Sequence, residues 1–377
     1  MLRFHELRLA DRSPAAEDAV RLAFEVPAAL RAAFVHEPGQ HVALRALLDG
    51  HEQRRTYSIV SPPGATVLEL GVRVQPGGAM SHFLAEDLQI GAAVEVLTPN
   101  GSFHPAAATG GVSRRHCVGF AAGSGISPVL GIAVSLLEAE PASRFQLYYG
   151  NTGIARAMFL EEIMGLKDRY LTRFSVHFVM SREPQELDVF NGRLDAAKVR
   201  ELARGSFDPA VVDEYFLCGP GTMIEDIRTE LARLGARGRI HAEYFTPPGD
   251  TAEDVTRVPA ETSVPRAATQ PAQAPGTTRG TGAAGLATVT VVMDGRRRSF
   301  AVTAADEYVL DAAAAAGIDL PFSCRAGVCS TCRAKLKRGT VSLDNNVALE
   351  DWELEAGYIL CCQARPTSPE LEITYDE

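Results

Sequence analysis

Hydrophobic and polar positions alternate in short runs over residues 1–105 (40–47, 56–60, 67–74 and 93–97), separated by Pro and Gly turns. A period of two in runs of this length predicts half-buried β-strands. One piece breaks the rhythm: 79–88, after Pro76-Gly77-Gly78, carries a helical spacing. Beyond residue 112 the pattern changes. Apolar runs at 116–121, 144–150, 174–180 and 214–217 alternate with helical stretches around 128–139, 158–167 and 223–234. That order predicts a parallel sheet with helices on both faces. Residues 246–286 carry neither period: 8 Thr, 8 Ala, 6 Pro and 5 Gly fill 27 of the 41 positions, with no aromatic. Such a stretch lacks the material for a core and reads as a flexible linker, spanning roughly 35 Å as a random coil. Strands return at 288–293 and 298–302, then a helix at 307–316 ending on Gly317, then a cysteine loop.

A chain of 377 residues suits two or three domains. With 46% hydrophobic and 22% charged residues, disordered, collagenous and disulfide-scaffold classes fall away. The net charge of −10 argues against a nucleic-acid coat or an anionic-membrane binder. Residues 287–377 hold 14 acidic and 9 basic side chains, a net of −5, so half the formal charge sits in the last quarter. The uncharged stretch 117–137 is 21 residues long, enough to span a membrane. It contains four Gly, three Ser and Pro128, and reads instead as buried strand, glycine turn and helix. Residues 1–20 carry His5, Glu6, Asp11 and Asp18 without a central apolar run, so no signal peptide is expected and the expected location is the cytoplasm.

Five of the seven cysteines lie near the C-terminus, which points to metal or redox work in a reducing compartment. Cys324-x4-Cys329-x2-Cys332, with Cys362 after 29 more residues, is the plant-type [2Fe–2S] spacing, in which four thiolates hold two irons. Gly327, Ala326 and Ser330 are small enough to let backbone N–H groups approach the sulfurs. A four-cysteine zinc site is the alternative, but it usually wants two C-x-x-C knuckles and only one is present. A Rieske centre is excluded, because no C-x-H occurs. Cys361 and Cys362 both satisfy the spacing of the fourth ligand. On a strand, consecutive residues face opposite sides, so only one would point at the cluster.

Three further patterns suggest nucleotides. Arg55-Thr56-Tyr57-Ser58 places a cation and an aromatic on one side of a strand, followed by Gly77-Gly78-Ala79-Met80-Ser81 at a helix start, where backbone N–H groups attract anions. Gly123-Ser124-Gly125-Ile126-Ser127-Pro128 joins the first strand and helix of the α/β region. Its glycines permit a tight turn under a pyrophosphate, although Pro128 replaces the third glycine of G-x-G-x-x-G. Cys218-Gly219-Pro220-Gly221 ends another strand, at the edge where α/β sheets bind ligands.

In this order the motifs resemble the ferredoxin–NADP reductase superfamily. The fused cysteine module is similar to a plant-type ferredoxin, with Tyr358-Ile359-Leu360-Cys361-Cys362-Gln363-Ala364-Arg365-Pro366 looking like its final ligand strand. Together they resemble the phenylacetyl-CoA epoxidase reductase subunit family, with ketosteroid hydroxylase reductases a near neighbour. The resemblance implies a multidomain fold: an antiparallel β-barrel flavin domain (1–108), an α/β parallel-sheet nucleotide domain (109–245), a linker (246–286) and a β-grasp ferredoxin domain (287–377). It implies that Arg55, Thr56, Tyr57, Ser58, Val72, Val74, Gly77, Gly78, Met80 and Ser81 bind FAD. Gly123, Gly125, Ser127 and Pro128 would cradle the dinucleotide, with Ser181 and Arg182 at its 2′-phosphate. Cys218 and Gly219 would lie beside the nicotinamide, and Glu243 and Phe245 close to the flavin. Ser58, Cys218 and Glu243 would be the catalytic set, and Cys324, Cys329, Cys332 and Cys362 the cluster ligands.

An acidic residue at the end of the second strand would mark an NAD site. Here that strand ends Gly150-Asn151-Thr152, with Arg156 following, which favours NADPH over NADH. The expected activity is electron transfer from NADPH through FAD and a [2Fe–2S] cluster to an iron-containing oxygenase, with phenylacetyl-CoA epoxidase first in line. A Rieske or ketosteroid hydroxylase reductase using NADH, an FMN enzyme, and a non-catalytic redox sensor are the alternatives.

Overall fold

The computed structural model describes residues 3–106, 114–245, 264–265, 287–303, 306 and 308–376. The chain divides into two compact units, one of residues 4–44 and 56–258, the other of residues 1–3, 45–55 and 259–377.

The first part of the chain supplies β1 (Phe4–Ala16), β2 (Ala19–Glu25), β3 (His41–Leu48), β4 (His51–Ser58), β5 (Val67–Arg73) and β6 (Ala93–Leu97). They form a sheet in the order β4-β3-β6-β1-β2-β5. Past β4, Ile59 bridges to Leu70 of β5 and the Val60 N–H donates to the Glu69 carbonyl at 2.9 Å. The two ends of the sheet thereby meet, and it closes into the expected barrel. Inward residues of alternating strands, Leu7, Leu9, Leu22, Phe24, Leu70 and Val72 among them, are fully shielded from water. The helix expected at 79–88 is shorter: α1 (Ala79–His82) passes into one π turn, Phe83–Asp87. The wider turn keeps Leu84, Ala85 and Leu88 buried.

The α/β part holds β7 (His116–Ala122), β8 (Arg144–Asn151), β9 (Phe174–Met180), β10 (Glu214–Gly219) and β11 (Arg239–Tyr244). All are parallel, in the order β11-β10-β7-β8-β9. Central β10 is buried along its whole length, as a strand covered on both faces must be. The helices are α2 (Ile126–Ala139), α3 (Leu160–Arg169), α4 (Ala196–Leu202) and α5 (Gly221–Arg233). The uncharged stretch 117–137 is β7, a turn and α2, and no described helix is long and apolar enough to cross a membrane. Short α4 escaped the sequence reading; it starts on Asp195, whose carboxylate accepts the Lys198 N–H at 2.8 Å.

In the other unit, β12 (Val264–Pro265) pairs with His51 and Glu52 of β4. The rest of the proposed linker, and the boundary at 108/109, lie outside the described residues. β13 (Ala287–Met293), β14 (Arg296–Val302), β15 (Arg333–Arg338), β17 (Tyr358–Leu360) and β19 (Glu370–Thr374) make a mixed sheet, β14-β13-β19-β15-β17, and β16 (Val341–Leu343) pairs with β18 (Ala364–Pro366). Residues of α6 (Val309–Ala315), among them Val309 and Leu310, share one buried cluster with Val289, Val291 and Ile373 of that sheet, the β-grasp arrangement. A short α7 (Asp351–Glu355), not foreseen from sequence, is anchored by buried Glu353, which bonds the Arg333 guanidinium beside Cys332.

Candidate functional site

Strand β7 lies between β8 and β10, so the winding of the sheet reverses there. The carboxyl ends of β7 and β10 flank the crevice where such sheets bind ligands. The turn after β7 is Gly123–Gly125, and its two glycines meet different demands. Gly123 sits at φ +56 with open space where a Cβ would stand. Gly125 has ordinary helical backbone, but a Cβ there would lie 2.2 Å from the Cys218 carbonyl oxygen. One glycine gives a conformation and an open face; the other lets the turn rest on β10. Pro128 falls in the first turn of α2, where no N–H is needed. Ser127 does not join the open face: it is buried, its hydroxyl 2.8 Å from where a Cβ on Gly71 would be.

Three residues distant in sequence come together at this crevice. The Ser58 hydroxyl donates to Glu243 Oε2 at 3.2 Å, and Cys218 Sγ stands 3.9 Å from the same oxygen. The parallel register of β10 and β11 sets Cys218 beside Glu243. Burial first, and the Glu243 charge second, push the Cys218 thiol well above its ordinary value. It is therefore a neutral thiol, suited to packing against a ring and not to nucleophilic attack. The Phe245 N–H donates to the Gly219 carbonyl at 3.4 Å. A fourth member was missed from sequence: His41 opens β3, with Nδ1 3.3 Å from Glu243 Oε1. Its only signal was a polar ring at the head of an apolar strand after Pro38-Gly39-Gln40.

Arg55, Thr56 and Tyr57 are half-buried on β4, with Arg55 Nη1 donating to the Arg54 carbonyl at 2.8 Å. Gly77 (φ +73) has an open face. Ser81 closes the adjoining loop on itself, accepting from the Gln75 N–H at 3.0 Å and donating to the Gly78 carbonyl at 2.9 Å. Val72 and Met80 are core residues, while Val74 is half-buried and donates its N–H to the Asp18 carbonyl. At the end of β9, Ser181 and Arg182 donate backbone N–H groups to Asn151 and Thr152, and the Arg182 side chain is exposed. Arg156, by contrast, is paired with Asp18 at 2.5 Å. An open glycine face, a strand bearing a cation and an aromatic, and the Ser58–Glu243 pair fit a flavin with its pyrophosphate.

The cysteine loop is built for close approach. Arg325 and Ser330 adopt positive φ (54° and 51°), and a Cβ on Gly327 would stand 2.7 Å from the Asn345 carbonyl. Among the described residues no three His, Cys, Asp or Glu side chains converge as a single ion requires. The four thiols act on one another in two pairs, Cys324 with Cys329 and Cys332 with Cys362. Two pairs fit a cluster whose two irons each take two thiolates. The bond from Cys329, joined by the Ala326, Val328 and Cys329 N–H groups, pulls the Cys324 thiol down to about 6. Cys361 and Cys362 lie in a turn between β17 and β18, so the argument from strand alternation does not apply. Their neighbours separate them: Cys361 is buried beside Tyr375, its thiol pushed up to about 12 by burial.

Comparison with known proteins fits this geometry. An oxidoreductase FAD-binding domain matches residues 6–104, an oxidoreductase NAD-binding domain 120–229, and a 2Fe-2S iron-sulfur cluster binding domain 291–367. The chain is 37% identical to a component of the 1,2-phenylacetyl-CoA epoxidase of Escherichia coli, over 100% of this chain and 99% of that one. The chain belongs to that family of reductase subunits. It is 32% identical to the ferredoxin reductase component of 3-ketosteroid-9-alpha-monooxygenase from Rhodococcus rhodochrous, over 95% of this chain and 93% of the relative. Phthalate dioxygenase reductase shares the fold: TM-score 0.55, 21% identity, 98% of both chains. This member of the family is accordingly an NAD(P)H-dependent flavin and iron–sulfur oxidoreductase that serves an oxygenase. Bound FAD would supply the exchange between two-electron hydride chemistry and single electrons, and a [2Fe–2S] cluster would supply a one-electron carrier. The protein's share of that chemistry is to hold, orient and desolvate.

Proposed function

We propose that this chain is the cytoplasmic reductase of a phenylacetyl-CoA epoxidase, drawing on NADPH and reducing an iron-containing oxygenase component. The convergence of Ser58, Cys218 and Glu243 at the switch point of the sheet carries the reading. Ser58 and Glu243 would orient the flavin ring, and buried Cys218 with Gly219 would seat the nicotinamide against it. Arg55, Thr56 and Tyr57 on β4, with Val74, Gly77, Gly78, Met80 and Ser81, would hold the rest of FAD. Gly123 would face the dinucleotide, with Gly125, Pro128 and buried Ser127 shaping the turn behind it, and exposed Arg182 with Ser181 would meet its 2′-phosphate. Cys324, Cys329, Cys332 and Cys362 would carry the cluster. The partner follows from the full-length likeness to the epoxidase component. Arg156 is tied to Asp18, one cation fewer for a 2′-phosphate, and this favours a second reading in which NADH is the donor.

The test is an anaerobic titration with NADPH and separately with NADH, followed by transfer to phenylacetyl-CoA epoxidase or to 3-ketosteroid monooxygenase. Bleaching of the flavin band and the iron–sulfur shoulder by NADPH, with turnover only of the epoxidase, is the expected result. Bleaching by NADH alone overturns the donor, and turnover of the steroid enzyme alone overturns the partner.

A further inference from the structure

We propose that His41 is a positioning residue for Glu243, donating from Nδ1–H so that one carboxylate oxygen is fixed and the other is left for Ser58. The inference rests on the reading of Glu243 given above, and four observations carry it. His41 is 5% exposed, so bulk water does not serve its ring nitrogens. Nδ1 faces Glu243 Oε1 at 3.3 Å, while buried Nε2 has no hydrogen-bond partner among the described residues. The ring is gripped from both sides of the chain: His41 exchanges backbone bonds with Asn100 at 2.9 Å, and Gly101 (φ +115) has no side chain because a Cβ would stand 2.9 Å from Nδ1. Glu243 Oε2 is engaged by Ser58, with the neutral Cys218 thiol behind it.

These facts choose the tautomer. A neutral imidazole has one N–H donor and one lone-pair nitrogen. Nδ1–H toward Glu243 satisfies the carboxylate with a charge-assisted bond and leaves only a lone pair at Nε2. The Nε2–H form would set a lone pair against the carboxylate and bury an unmet N–H. Held by His41 on one oxygen, Glu243 cannot rotate away from Ser58, so the hydroxyl–carboxylate pair keeps one orientation at the switch-point crevice.

The experiment combines two readouts. Nitrogen-15 NMR of histidine-labelled full-length protein should show one ring with Nδ1 protonated; that signal should move in Glu243→Gln and vanish in His41→Asn. In stopped-flow reduction by NADPH, His41→Phe should slow flavin reduction about tenfold or more, with the dinucleotide affinity unchanged. His41→Asn, whose amide can donate from the Nδ1 position, should restore most of it. In a Glu243→Gln background, His41→Phe should add little. A His41 ring bare at Nδ1, or a His41→Phe effect that survives in the Glu243→Gln background, overturns the proposal. Melting curves separate a folding defect in His41→Phe from a loss of alignment. If Glu243→Gln itself reduces flavin normally, the reading of Glu243 fails; if it is slow while His41→Phe is not, only the present inference fails.

Discussion

Replacing Gly125 by Ala adds one methyl group where the turn after β7 meets the end of β10. At φ −61 and ψ −10 the backbone tolerates alanine, so any cost comes from space. The new Cβ would lie 2.2 Å from the Cys218 carbonyl oxygen and 2.6 Å from its carbon. An ordinary contact of a Cβ is 3.4–4 Å, so the turn and strand must part by about 1 Å or more. Both sides are backbone, and neither can swing away as a side chain would. Overpacking of this kind costs about 1–3 kcal/mol, or roughly 2–12 °C of melting temperature for a unit of this size. Cys218 would move with the strand, and an error of that size in the seat of a reacting group slows transfer by up to about 100-fold. Gly123→Ala is the control, because it meets no atom within 4 Å but sits at φ +56. It should cost about 1–2 kcal/mol through conformation alone and leave β10 in place. Melting curves and stopped-flow reduction by NADPH on both variants decide the matter. Gly125→Ala with wild-type melting and reduction rate would refute the close approach on which the site geometry depends.

Glu214, at the start of β10, is held down to about 2: burial alone would raise it, but His241, the Ala106 N–H and Arg115 outweigh burial. A depressed carboxylate contributes stability that is present above its unfolded value of about 4.3 and is lost as pH falls toward about 2. Glu214→Gln should therefore lose on the order of 2 kcal/mol at neutral pH after allowance for solvent screening, and lose less further stability between pH 4.5 and 2 than the parent, as read by denaturant melts across that range. Cys362→Ser should abolish the iron–sulfur absorbance, whereas Cys361→Ala should keep it and cost about 1–2 kcal/mol of packing, measured by iron content and thermal melting. Arg182→Ala should raise the KM for NADPH about tenfold and leave that for NADH unchanged; equal effects on both would remove Arg182 from the 2′-phosphate.

The fold was legible wherever periodicity and burial coincide. The alternation at 67–74 became β5, and the uncharged stretch 117–137 became a buried strand, turn and helix, because strands and helices covered on both sides must be apolar throughout. Short elements were not legible: α4 and α7 are seven and five residues long, too short for a 3.6-residue period to emerge; α4 is fixed by a local cap, the Lys198 N–H on the Asp195 carboxylate, and α7 by a long-range ion pair, Glu353 with Arg333. The site was half legible in the same sense. Spacing singled out the cysteines and glycines, since a ligand or a tight turn constrains nearby positions in one loop. It could not reveal that Gly125 is demanded by Cys218, 93 positions away by numbering, nor that Ser127 turns inward to Gly71.

His41 shows why a sequence gives no warning of such residues. It lies 202 positions from Glu243, and nothing local distinguishes it from a surface imidazole at the end of a strand. Its meaning arises only when barrel strand β3 and nucleotide-domain strand β11 bring two polar groups into one dry space. There an unmatched donor costs more than in water and a matched one fixes geometry more firmly. The same dryness accounts for the neutral state of Cys218 beside the Glu243 carboxylate. The four side chains thus have complementary parts: a hydroxyl that donates, a carboxylate that accepts, an imidazole that pins it, and a thiol that fills the remaining space. Loss of the pin leaves every other group in place yet free to turn, so its removal should slow transfer without weakening the dinucleotide's hold.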